Sequence, residues 1–126
     1  MEIVTGLWIG NYHLLNNTEW CKEKKIQIIM NCHKYYELNI EIDKNYNMLE
    51  KTVDFIKRSI EKLVNAHYKD NQNCIVVCTN GRRMSILIAI YYLSAICKIS
   101  KPRAYEIIKT KYHDLILEDY ILRYIK

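Results

Sequence analysis

The segment Val76-Val77-Cys78-Thr79-Asn80-Gly81-Arg82-Arg83-Met84-Ser85 gathers most of the reactive chemistry of this sequence. A run of β-formers delivers a cysteine into a short loop containing a glycine, and a long apolar helix follows at once. Backbone N–H groups in such a loop, with the helix N-terminus behind them, form a cradle for a tetrahedral anion. The same field favours a thiolate, so Cys78 is the candidate nucleophile. On spacing alone a buried structural cysteine is the plainer alternative. Arg82 and Arg83 add positive charge at the loop; their plainer reading is an exposed basic helix start.

The elements that must position this loop alternate between strand and helix. Residues Ile3 to Ile9 read as one or two short strands around Gly6. Asn16 or Asn17 caps a short helix beginning near Thr18. Ile26 to Met30, apolar on both faces, reads as a buried central strand. Leu38 to Ile42 reads as a second extended piece ending at Asp43 in a polar loop. From Met48 to about Asn65, apolar residues at helical spacing predict an amphipathic helix, and His67 to Asn73 reads as a polar turn. Cys74 to Val77 is a wholly apolar strand with Cys78 at its end. A strongly apolar helix spans Met84 to Cys97. Ser100 caps another, with Pro102 in its first turn, where a missing N–H costs nothing. A last amphipathic helix uses Leu115, Leu117, Ile121, Leu122 and Ile125. This order predicts an α/β fold: a central, mostly parallel sheet of four to five strands flanked by helices. Ligands of such sheets sit beyond the carboxyl ends of the strands, where Cys78 is placed.

Composition sets the limits. The chain has 126 residues, half of them hydrophobic, with 3 Gly and 1 Pro. That suits one domain over residues 1–126, without linkers or repeats. No segment approaches the ~20 apolar residues of a membrane span, and a cytoplasmic location is expected. The 5 cysteines (Cys21, Cys32, Cys74, Cys78, Cys97), with no signal peptide in view, read as free thiols. A pairing of Cys78 with Cys74 or Cys32 under oxidation stays open, because sequence gives no distances. No C-x-x-C occurs, so no metal is expected, and no cofactor is implied. The formal charge of +5 admits anionic partners but reads more plainly as a lysine-rich solvated surface.

The loop resembles the signature loop of the protein tyrosine and dual-specificity phosphatases, H-C-x-x-G-x-x-R-[ST]. Cys78 matches the nucleophile, Gly81 the loop glycine and Ser85 the hydroxyl that helps the thiolate leave. Leu7-Trp8-Ile9-Gly10-Asn11 is similar to the family's opening strand, and Ile26 to Cys32 to its strand ending in N-C. Ala89-Ile90-Tyr91-Tyr92-Leu93, with Ser100 and Ala104, resembles two of its helices. The resemblance implies a dual-specificity-phosphatase-like fold, a phosphate-binding loop of Thr79, Asn80, Gly81, Arg82 and Arg83, and a general acid at Asp43. An acid there is worth ~10²–10⁴ in rate. Its plainer reading is a solvated loop aspartate.

Two positions depart from the pattern. Val77 replaces the histidine before the cysteine, and Met84 replaces the arginine that grips two phosphate oxygens. Each charge-assisted bond is worth ~1.5–3 kcal/mol, so losing two costs ~3–6 kcal/mol, roughly 10²–10⁴-fold. Gly81 three residues and Ser85 seven residues after Cys78 fix the register. A neighbouring residue on a helix points ~100° away, so Arg82 and Arg83 should aim elsewhere. The expectation is therefore a catalytically impaired, pseudophosphatase-like domain that binds a protein, phosphorylated or not, in a scaffolding or regulatory role. The alternative is an active phosphatase with a non-standard clamp. Binding of RNA 5′-phosphates, supported by basic charge alone, is the lesser alternative.

Overall fold

The computed structural model describes residues 2–32, 46–78, 84–111 and 125. The expected strand Leu38 to Ile42 and the helix from Leu115 to Ile125 as a whole lie outside these residues. In chain order the elements are β1 (Glu2–Val4), β2 (Leu7–Asn11), a 3-10 turn (Tyr12–Asn16), α1 (Thr18–Glu23), β3 (Ile28–Asn31), α2 (Tyr46–Leu63), a π-helical turn (Val64–Lys69), β4 (Cys74–Cys78), α3 (Met84–Cys97) and α4 (Lys101–Lys111).

Among the described residues the sheet has four strands in the order β1-β2-β4-β3. β1 and β2 form a tight antiparallel hairpin, and β2 and β3 both run parallel to β4. Two of the three pairings are thus parallel, as the alternation of strand and helix requires. Gly6 makes the hairpin turn at φ +84, where a Cβ would stand 3.0 Å from Asn73 Oδ1. A side chain is excluded there by backbone conformation and by space together.

β4 is buried along its whole length. Its even-numbered residues Cys74, Val76 and Cys78 face the main core with Leu7 and Ile9. Ile75 and Val77 must point to the opposite face, since strand side chains alternate, and both are fully buried. On that face Trp8 of β2 meets Trp20 of α1 edge-on at 6.1 Å. Asn17 caps α1, its side chain accepting from the Trp20 N–H at 3.1 Å.

The main core is filled by α3. Every residue from Ser85 to Ile90 is buried, as are Tyr92 and Leu93, which is how a helix apolar on all sides must sit. Ser94 Oγ donates to the Ile99 carbonyl at 2.6 Å, closing the turn between α3 and α4. Ser100 Oγ accepts from the Arg103 N–H at 3.2 Å, as its position before Pro102 predicts. Ala104 and Ile108 are the buried positions of α4. Among the described residues no single helix is long and apolar enough to cross a membrane.

Two expectations need correction. The run Ile26 to Met30 is not a strand along its whole length. β3 begins at Ile28 and lies at the edge of the described sheet, with Ile29 54% exposed. Ile26 and Gln27 are instead held by other bonds: the Ile26 N–H donates to Cys21 O and the Gln27 N–H to Asn73 O. β-propensity reported the strand but not the residue at which its ladder begins. The second correction concerns the expected polar turn at His67 to Asn73. The helix continues as a π-turn through Lys69, marked by the Asp70 N–H bonding Asn65 O.

The π-turn places His67 between two elements. Its Nε2 lies 2.8 Å from the Thr5 carbonyl oxygen and its Nδ1 2.6 Å from the Tyr92 hydroxyl. A carbonyl only accepts, so Nε2 carries a proton; in the neutral ring Nδ1 then accepts from Tyr92. Burial, with smaller contributions from Cys74, Tyr68 and Cys97, pushes the Tyr92 hydroxyl up to about 12, so it stays a donor. His67→Ala would leave that hydroxyl, on a side chain with no exposure, without its acceptor. We expect a loss of about 1–3 kcal/mol, read as a lower urea midpoint.

Candidate active site

Cys78 is the last residue of β4, between the ends of its two neighbours. Asn11 of β2 is its register partner on one side. On the other, Asn31 of β3 pairs with Val77, and the Cys32 N–H continues that ladder by donating to Val77 O at 2.8 Å. One step along both strands brings Cys32 beside Cys78. The side chain of Asn11 accepts from the His13 N–H at 2.9 Å, which turns the chain away from the sheet just past the site.

α3 starts at Met84, so Ser85 lies in its first turn. Ser85 Oγ is 3.2 Å from Cys78 Sγ, either atom serving as donor, and both residues are buried. This contact joins the carboxyl end of the sheet to the helix N-terminus, where unpaired N–H groups and the helix dipole favour negative charge. The arrangement suits a sulfur nucleophile or an anion held at one helix end. Cys78 and Ser85 are therefore brought together, as the resemblance implies. Thr79, Asn80, Gly81, Arg82, Arg83 and Asp43 lie outside the described residues. Met84 stands at the first position of the helix. Val77 lies within β4, fully buried, and on the sheet face opposite Cys78.

Cys32 is a neighbour the sequence did not assign to the site. Burial first, and the charge of Cys78 second, push its thiol up to about 12. Burial alone pushes Cys74 up to about 11. Sequence could have shown only that Cys32 ends a strand; its partner depends on strand order, which no local pattern encodes. Among the described residues no cluster of His, Cys, Asp and Glu is arranged to hold a metal ion.

Two solved structures share this architecture. One is a leucine rich repeat and phosphatase domain containing protein from Entamoeba histolytica, matched over 98% of this chain and 85% of that one, with TM-score 0.71 and 13% identity. The other is the PTP-2 phosphatase of Cydia pomonella, matched over 99% and 86%, with TM-score 0.71 and 12% identity. The chain has the fold of protein tyrosine and dual-specificity phosphatase domains. No family model and no curated relative matches the sequence. In this phosphatase fold the likeness is carried by the backbone and by the order of elements.

The raised thiols make stability depend on alkaline pH. A thiol whose folded pKa exceeds its unfolded value stabilises the fold fully below the unfolded value, 9.0, and loses that contribution as pH rises towards the folded one. For Cys32 that window is from pH 9.0 to about 12. Within it each such thiol costs up to ~1.4 kcal/mol per pH unit. The urea midpoint should fall between pH 8 and pH 10, and Cys32→Ala should flatten part of that fall.

Proposed function

We propose that this phosphatase-fold domain is catalytically impaired and acts as a binding module for a phosphorylated protein, in a regulatory or scaffolding role. The observation that carries this reading is Met84 at the first residue of α3, one position before a Ser85 that keeps its contact with Cys78. Because Ser85 is anchored to the sulfur, the register of the helix start is tied to the candidate nucleophile. The residue the family pattern gives to its phosphate-gripping arginine is then a thioether without a donor. A helix N-terminus still offers its N–H groups to an anion. What the Met84 position lacks is the bidentate cation that would follow the phosphoryl oxygens into the transition state.

The retained Cys78–Ser85 pair favours a second reading, an active phosphatase whose clamp comes from another cation. The two readings part in a simple assay. Under the first, hydrolysis of an aryl phosphate by the native chain is at or near background, and Met84→Arg raises it by roughly 10²–10⁴-fold if the arginine is the missing part. Turnover by the native chain that vanishes in Cys78→Ser, with little change in Met84→Arg, would sink the impaired reading. Retention on an immobilised phosphotyrosine or phosphothreonine peptide, competed by free phosphate, tests the binding role directly.

A further inference from the structure

A cavity of about 410 Å³ lies where the hairpin turn Thr5–Gly6 meets His67 and Tyr68 of the π-turn and Asn71 to Asn73 before β4. Asn73 stands ~16 Å from Cys78 at the rise of a strand. The cavity is therefore at the opposite end of the sheet from the anion cradle. We propose that it is a second ligand site, which takes the uncharged base of a purine nucleoside, with adenine as the best fit. This goes beyond the function proposed above and holds whether or not the domain binds phosphate.

The lining divides into fixed walls and groups with hydrogen-bonding capacity to offer. The volume itself falls within the ~300–1,000 Å³ of small-molecule sites. His67 uses both ring nitrogens, on the Thr5 carbonyl and on Tyr92. Asn73 Nδ2 donates to the Lys24 carbonyl at 3.1 Å, and its backbone N–H to Gln27 Oε1 at 3.0 Å. These two residues shape the cavity without reaching for a ligand. Tyr68, Asn71 and Gln72 differ, since their side chains make no hydrogen bond among the described residues. Their backbone is nonetheless held. The Gln72 N–H donates to Ala66 O at 2.9 Å, and the Gln72 carbonyl accepts from Cys74 Sγ at 3.4 Å. Three uncommitted polar side chains are thus presented from a fixed turn, beside one cavity.

The chemistry of those three side chains selects the ligand. Tyr68 is 62% exposed, so most of its ring is open to a flat stacking partner. Asn71 and Gln72 each carry donors and an acceptor on one amide. That pairing complements adenine, whose N6 donates and N7 accepts, and which one amide engages at both atoms. Thr5 adds a hydroxyl at the same cavity. No wall residue bears a formal charge while His67 is neutral. A phosphate group therefore gains little here, whereas an uncharged base with adjoining donors and acceptors is matched. Asn71 holds φ at 53, a left-handed conformation that asparagine adopts more readily than most residues and glycine most readily of all.

The test titrates the isotope-labelled full chain with adenosine into the millimolar range and follows the backbone amide resonances. Shifts centred on Gly6 and residues 68–73 are expected, with Cys78 and Ser85 unmoved and no competition from inorganic phosphate. Tyr68→Ala should weaken binding roughly 5–150-fold, while Tyr68→Phe, which keeps the ring, should bind as the native chain does. Asn71→Gly removes an amide but keeps the turn, and it should reduce the preference for adenosine over uridine. Adenosine that leaves residues 68–73 unmoved would overturn the proposal. So would equal shifts from glucose at the same concentration, or undiminished binding by Tyr68→Ala. Should Tyr68→Ala fold poorly, Asn71→Gly replaces it, and the shift map of the native chain decides by itself. Phosphate turnover and phosphopeptide retention enter none of these readouts, so failure of one proposal is distinct from failure of the other.

Discussion

A buried backbone must find hydrogen-bond partners within the protein, and β4 meets that demand by pairing in parallel with β2 on one side and β3 on the other. Its five residues are therefore held from both edges, and their side chains are packed on both faces. A strand so fixed has little freedom at its carboxyl end. Cys78 is presented between Asn11 and Cys32 at a position set by ladder register rather than by its own side chain. The chemistry of the site is in this sense a consequence of backbone pairing several residues away.

The helix that faces Cys78 is fixed by different forces. α3 is apolar on nearly all sides, so the hydrophobic effect buries it but gives it no preferred rotation about its axis. Two polar contacts supply that preference. Ser85 meets Cys78 at the first turn, and Tyr92 meets His67 two turns later. Seven residues make nearly two full turns, so both contacts lie on one side of the helix. A rotation of α3 would break both at once and leave buried hydroxyls without partners, at about 1–3 kcal/mol each. The π-turn that carries His67 fits this arrangement, since one extra residue in the turn carries the imidazole to both Tyr92 and the Thr5 carbonyl.

How far the sequence speaks for the fold depends on whether a feature is local. Asn17 and Ser100 cap helices because a short polar side chain before an apolar-periodic run has one good use there. The bounds of α3, Met84 to Cys97, follow from an apolar run with a Gly-containing loop before it and a polar break after it. The pairing of Cys78 with Ser85 is legible through the resemblance of the signature segment, whose spacing of seven residues the chain keeps. What was not legible is non-local. Ile26 to Met30 has the composition of a strand throughout, but Ile26 and Gln27 bond to Cys21 and Asn73, so the strand begins only at Ile28. The π-turn at Val64–Lys69 has no composition of its own; it exists because His67 finds Thr5 and Tyr92, residues distant in the chain. Cys32 became a neighbour of Cys78 for the same reason.

The contrast between what the loop keeps and what it replaces bears on how an anion would be held. A helix N-terminus acts roughly as half a positive charge, whereas a phosphoryl group carries close to two negative charges at neutral pH. N–H groups alone leave most of that charge uncompensated, and the missing part is what a guanidinium in the Met84 position would supply. On the proposed reading, the affinity for a phosphorylated partner must then come largely from contacts outside the phosphate. Specificity would follow the partner's surface more than its phosphorylation state. On the same reading, turnover would suffer more than binding from this exchange. The transition state gathers charge on the equatorial oxygens, which a planar, two-pronged donor tracks and a set of fixed N–H dipoles does not. On the proposed reading, keeping Cys78 and Ser85 with Met84 in the arginine position separates two properties that one loop normally joins: an anion would still be recognised where it would no longer be efficiently cleaved.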